Sequence, residues 1–167
     1  NVGGGTGMIS YEFKGGTGSS SRKIQIDGKD YHIGVLVQAN YGRRPWLTIS
    51  GVPVGKHMME NRLNDEEKGS IIVVIGTDIP MLPHQLRRVA KRGTIGISRS
   101  GSPGGNGSGD IFLAFSTANE MTIPQQIKTT LHMDFINDEA FDPIYEQTCH
   151  AIDEAVINAM VSSKGMT

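Results

Sequence analysis

Apolar and polar positions along this chain predict a set of strands with two helices laid against them. Lys23-Ile24-Gln25-Ile26 alternates, Asp27-Gly28 follows, and Tyr31 to Ala39 resumes with Ile33-Gly34-Val35-Leu36-Val37. An Asp-Gly pair between two β-rich runs predicts a tight hairpin turn. The second arm is apolar on both faces, which predicts an internal strand. Further on, Ile71-Ile72-Val73-Val74-Ile75 is an unbroken apolar run, and Ile111 to Ser116 predicts a second buried strand. Another strand is predicted over Thr130 to Ile136, and a short strand-like piece over Met8 to Lys14.

The helical signals have a different period. Pro83 marks a first turn, and Leu82, Leu86, Val89 and Ala90 form one apolar stripe. Arg87, Arg88, Lys91 and Arg92 lie on its other face, where cations suit a helix C-terminus, and a solvated face is expected of them. The last helix is predicted from Asp142-Pro143, with Asp142 as cap and Ile144, Cys149, Ile152, Val156, Ala159 and Met160 turned inward. Strands with helices on one side and hairpin connections predict a layered α/β or α+β fold. After Asn40 the chain reads as loop, and residues 56–69 have the polar composition of a mobile linker.

Composition narrows the function classes. At 167 residues the chain is long enough for one domain with a core. Its 16 Lys and Arg balance 17 Asp and Glu, which argues against an electrostatic grip on nucleic acid. No stretch is long enough to span a bilayer, and the expected location is cytoplasmic. The lone Cys149 excludes an internal disulfide and reads as a buried structural thiol. His32, His57, His84, His132 and His150 lack metal-ligand spacing, so no metal is expected. His57 lies near residue 70 and reads as an exposed histidine, with assistance to a proton transfer as the sharper alternative. The chain opens on Asn1 and stops at Thr167 just past a helix, which suggests a piece of something longer.

Three glycine clusters, GGGTG at 3–7, GGTGSSS at 15–21 and GSPGGNGSG at 101–109, match neither a dinucleotide fingerprint nor a P-loop. No cofactor is expected. Close backbone approach is the other use of such glycines, since it lets amide N–H groups aim at a reacting centre.

Gly69-Ser70 is the point where the charged stretch Glu60 to Lys68 meets the apolar strand. A self-cleaving hydrolase places its nucleophile there. Cutting Gly69–Ser70 leaves Ser70 with both a hydroxyl and an α-amine whose ordinary pKa is about 8, close enough to neutrality to serve as a base. The plain alternative is a polar residue opening a strand, because Gly-Ser is a common loop pair. At the entry of the next buried strand, Ser108 and Asp110 are two residues apart and would project to one side. An α-amine at Ser70 would be a natural partner for Asp110; capping of a turn is the equal alternative.

The strings VGGGTGM (2–8), FKGGTGSSSRKI (13–24), GVLVQANYGRR (34–44), ISGVPVG (49–55), GSIIVVIGTDIPMLPHQLRRVAKR (69–92), GNGSGDIFLAFSTAN (105–119) and DEAVINAM (153–160) occur in order. Together they resemble the self-processing D-aminopeptidase/β-aminopeptidase family, also described as L-aminopeptidase/D-esterase. The resemblance implies an α+β fold, an αββα sandwich similar to N-terminal-nucleophile hydrolases but with different strand connectivity. It implies one precursor cut at Gly69–Ser70, so that 1–69 is the end of an α chain and 70–167 a β chain within one structural domain. Ser70 is then the nucleophile, Ser108 and Asp110 its support, and Asn40 an oxyanion donor. Some members carry glutamate at the position of Asp110. The implied activity is release of N-terminal residues from peptides, amides or esters by oligomers of αβ units, with no nucleic-acid or membrane partner. Relative to the family, a long N-terminal part that completes the sandwich and contacts the substrate amine is missing, and the C-terminus is shortened. Acyl transfer on a related fold and a non-catalytic, unprocessed relative are the rival readings. Tyr41 and Trp46, near Asn40, read as packing residues with pocket lining as the alternative.

Overall fold

A computed structural model describes residues 3–63, 66–120, 125–126 and 128–165. Its framework is one four-stranded sheet in the order β3 (Gly16–Ile26), β4 (Lys29–Asn40), β5 (Ser70–Thr77), β6 (Ile111–Ser116). The β3–β4 hairpin turns at Asp27-Gly28, both at positive φ, as the Asp-Gly pair predicts. β5 runs antiparallel to β4, and β6 runs parallel to β5 after a helical crossover. Two two-residue strands precede them, β1 (Ile9–Ser10) and β2 (Phe13–Lys14).

Alternation along the strands decides which face is covered. Ile33, Val35, Val37 and Ala39 of β4 share a face with Ile71, Val73 and Ile75 of β5, and all are buried. A short helix α1 (Val54–His57) lies in the β4–β5 connection; α4 (Phe141–Val161) packs on β3 and β4, α3 (Arg92–Arg99) packs against α4, and α2 (Pro83–Ala90) packs on β6. Ile144, Ile152, Val156 and Ala159 of α4 face inward, with Cys149 buried beside them and Met160 half-buried. α4 sits so close to β3 that a Cβ on Gly18 would fall 2.1 Å from the Ala155 carbonyl oxygen. The opposite face of the sheet carries Leu36, Ile72, Ile111, Leu113 and Phe115, each more than 40% exposed.

Four expectations are corrected. The first hairpin arm begins at Gly16 rather than Lys23, because the small side chains of residues 16–21 let α4 approach. The run Ile111 to Ser116 is a strand, but an edge strand with one apolar face bare. Thr130 to Ile136 forms no strand, since its backbone groups bond elsewhere: Asp134 N–H to Asn119 Oδ1 and Ile136 N–H to Pro80 O. Helix α4 begins at Phe141, so Asp142 lies in its first turn, and Asn137 caps the 3₁₀ turn just before.

The basic helix face is also more engaged than expected. Arg88 pairs with Asp138 at 2.8 Å and lies over the Phe141 ring, and Arg92 stacks 3.8 Å from the Tyr145 ring centre. Residues 58–63 are likewise tied down: Arg44 donates to the Met58 and Glu60 carbonyls, and Leu63 N–H donates to Glu12 Oε2. Asn64 and Asp65 of the expected linker lie outside the described residues.

Candidate active site

The β4–β5 ladder ends on the pair Asn40↔Ser70, which brings residues thirty apart in the chain into register. Both side chains belong to the sheet face opposite the helices, because they alternate with the buried Ala39 and Ile71. Ser70 is half-buried, and its Oγ accepts a hydrogen bond of 2.9 Å from Gly109 N–H. That contact comes from the third glycine cluster, whose backbone approaches Ser70 as glycine permits.

Asn40 is oriented from the other side. Its Oδ1 accepts from Ile9 N–H at 2.9 Å, so its amide nitrogen is the group left toward Gly69. A Cβ placed on Gly69 would lie 3.1 Å from Asn40 Nδ2 and only 1.8 Å from the Asn40 carbonyl oxygen. Glycine is therefore the residue that fits before Ser70.

Ser108 and Asp110 meet side chain to side chain just ahead of β6, outside the strand whose period predicted it. Ser108 Oγ donates to Asp110 Oδ1 at 2.5 Å, and the same oxygen accepts from Ile71 N–H at 3.1 Å. The carboxylate thus sits beside the backbone of the residue after Ser70. Ser70, Asn40, Ser108 and Asp110 all converge at one end of the sheet, drawn from three strands or their entry loops.

Behind Asn40 the strand enters a dense polar core. Tyr11 and Tyr41 stack edge to face at 5.2 Å and are both essentially buried. Burial pushes the Tyr41 phenol well above its ordinary value, with Tyr11 adding to the shift. Tyr11 is likewise raised by burial. Neither phenol ionises near neutrality, so neither serves as a base there. Tyr41 is a packing residue that also lines the cleft beside Gly69, a space of about 240 Å³ bounded by Ile9, Glu12, Asn40, Arg43 and Glu67 among others. Trp46 packs against the core with the Arg43 guanidinium 5.4 Å from its ring centre. His57 lines a different cavity with Phe13, Arg44, Met58, Glu60 and Asn61, apart from the Gly69 cleft.

The support of Asn40 escaped sequence reasoning. Tyr11 and Glu12 form the β1–β2 turn with φ of 49° and 62°, a conformation that costs non-glycine residues roughly 1–2 kcal/mol each. It is held by Tyr11 N–H on Tyr41 O, by Arg44 Nε and Nη2 on the carbonyls of Tyr11 and Glu12, and by Arg44 N–H on the Glu12 carboxylate. Strained turns held in this way concentrate at functional sites. A charge set between aromatic residues (Glu12, between Tyr11 and Phe13) and Arg44 in the string GRRPW were the signals available, and without coordinates nothing paired them.

Known proteins resemble this chain in sequence and in fold. The chain is 43% identical to the beta-peptidyl aminopeptidase BapA of Sphingosinicella microcystinivorans, across all of this chain and 46% of that protein. It superposes on the L-aminopeptidase D-Ala-esterase/amidase of Ochrobactrum anthropi, described as a new variant of the Ntn hydrolase fold. That match has a TM-score of 0.93 and 52% identity, covering 98% of this chain and 45% of that one. A beta-aminopeptidase of Burkholderia sp. matches with a TM-score of 0.88 and 39% identity, over 99% of this chain and 47% of that one. The chain therefore spans about half the length of the relatives it matches. Its fold is α+β, of the Ntn-hydrolase type. The family model for peptidase family S58 matches residues 1–167, and the chain belongs to that family.

Proposed function

We propose that this chain is the catalytic part of a self-processing serine aminopeptidase that releases N-terminal residues from peptides, amides or esters. The observation that carries the reading is the pairing of Asn40 with Ser70, with Gly109 N–H on the Ser70 hydroxyl and the Ser108–Asp110 pair at the same sheet end. In the precursor, Ser70 Oγ loses its proton and bonds to the Gly69 carbonyl carbon, the Gly69–Ser70 C–N bond breaks, and the Ser70 nitrogen takes up the hydroxyl proton as it leaves. Water then hydrolyses the resulting ester, leaving a carboxylate on Gly69 and a free hydroxyl and α-amine on Ser70.

In the processed enzyme the same hydroxyl attacks the substrate carbonyl to form an acyl-enzyme, and its proton passes to the α-amine or through Ser108. Asp110 orients Ser108 and favours the protonated amine. Asn40 Nδ2 donates to the developing oxyanion, its orientation supported by the Ile9 bond to Oδ1. Residues 1–69 are then the end of an α chain and 70–167 a β chain.

The bare apolar face of Leu36, Ile72, Leu113 and Phe115 supports a second layer supplied by the remaining N-terminal part of the α chain, completing an αββα sandwich. Oligomers of such αβ units and a cytoplasmic location belong to the same reading. A single unpaired cysteine is compatible with that compartment. Among the described residues no helix is long and apolar enough to cross a membrane.

Intact mass of the full-length protein under denaturing conditions tests the proposal. Two chains, one beginning at Ser70, are expected for the native sequence, and one uncut, inactive chain for Ser70→Ala. Two chains or residual hydrolysis in Ser70→Ala would remove Ser70 from the mechanism. An uncut native protein would favour the non-catalytic alternative.

A further inference from the structure

The segment leading into Ser70 is tied to its surroundings through the Glu67 side chain. Glu66 and Lys68 are exposed, whereas Glu67 turns inward. Its Oε1 accepts from Gly42 N–H at 2.9 Å, two residues beyond Asn40. Its Oε2 is buried, has no hydrogen-bond partner among the described residues, and lies against Gly105, where an added Cβ would fall 1.9 Å away. The Glu67 backbone carbonyl in turn lies over Gly107, 3.1 Å from where a Cβ would stand. Glu67 is therefore wedged between the two loops that flank Ser70. One follows Asn40; the other carries Ser108 and the Gly109 N–H.

We propose that Glu67 is a positioning residue for self-cleavage, fixing the Gly69 carbonyl against the Ser70 hydroxyl. The inference rests on the reading that Ser70 attacks Gly69. Only Lys68 and Gly69 separate the Glu67 anchor from Ser70, which the β5 ladder fixes. A two-residue span pinned at both ends has little freedom to swing its carbonyl away from the nucleophile. Positioning of this kind is a large lever on rate, since a misplacement of about 1 Å can cost roughly a hundredfold.

Oε1 supplies the anchor. Once the bond is cut, the span from Glu67 to Gly69 is no longer pinned at Ser70, so the anchor bears on cleavage and not on later turnover.

The test uses full-length protein and follows the fraction cleaved against time after synthesis by denaturing electrophoresis. Glu67→Ala is expected to slow cleavage by about 10- to 100-fold. Its cleaved fraction is expected to turn over aminoacyl amides at the native rate per molecule. Glu67→Gln keeps an oxygen that accepts from Gly42 N–H and is expected to restore most of the cleavage rate. Lys68→Ala, at an exposed neighbouring position, is expected to cleave normally.

Equal melting temperatures for the Ser70→Ala precursor with and without Glu67→Ala would separate alignment from stability. Cleavage of Glu67→Ala at the native rate overturns the proposal. So does loss of turnover in its cleaved fraction parallel to the loss of cleavage. A native chain that never cleaves refutes the Ser70 reading itself, which is a distinguishable result.

Discussion

Asn40 and Ser70 are the last register pair of the β4–β5 ladder, so a backbone pairing rather than a loop sets the distance between them. Ile9 N–H holds the Asn40 oxygen from behind. A donor held in this way needs no reorganisation as charge develops, which is the condition under which oxyanion donors are most effective.

Removing that donor tests the proposed role. Asn40→Ala is expected to lower kcat by about 10²–10³, the usual cost of one oxyanion donor. KM for a small aminoacyl amide is expected to change far less. Steady-state kinetics on fully processed protein separates the two constants, and an effect confined to KM would assign Asn40 to substrate binding instead.

Glycine at 69 is a steric requirement. A Cβ there would meet the Asn40 carbonyl oxygen at 1.8 Å, a backbone atom that cannot swing aside. Gly69→Ala is expected to displace the scissile carbonyl and leave a single folded, uncleaved chain. Denaturing electrophoresis with circular dichroism on the same sample reads both properties, and normal processing would show that the segment approaches Ser70 by another path.

Gln85 is a buried amide with all its bonds accounted for inside the protein. Its Oε1 accepts from Leu82 N–H, and its Nε2 donates to the Ile136 carbonyl and to Asp138 Oδ1. Gln85→Ala strands those partners and is expected to cost about 1–3 kcal/mol, seen as a lowered Tm. Catalysis below that temperature is expected to be unchanged.

Burial raises the Cys149 thiol above its ordinary value of 9.0, with Arg92 and Arg99 pulling it back only in part. A raised pKa means the folded state favours the neutral thiol. That contribution to stability is whole below the unfolded-state pKa and is lost as pH rises through the folded-state value. Stability is therefore expected to be insensitive to this group at neutral pH and to decline in the alkaline range. Thiol-reagent labelling at neutral pH is expected to be far slower in native than in denatured protein, and equal rates would place Cys149 at the surface.

Local sequence determined a good part of this protein. The Asp27-Gly28 turn, the β5 run after Ser70, the Pro83 helix and the inward stripe of α4 follow from turn chemistry and periodicity, which act within a few residues. Gly69-Ser70 and the Ser108–Asp110 spacing were legible for the same reason. Tertiary structure decided what depends on distant partners. Residues 16–21 become a strand because α4 needs small side chains beneath it, and Thr130 to Ile136 fails to become one because its backbone bonds to Asn119 and Pro80. The Tyr11–Glu12 turn, with no glycine or asparagine to announce it, exists because Arg44 and Tyr41 hold it. Glu67 looked like one charge among several in a polar stretch, and only the fold places its carboxylate between Gly42 and Gly105. Periodicity reports which face of an element is buried; it carries no information about which remote backbone group will meet a given side chain.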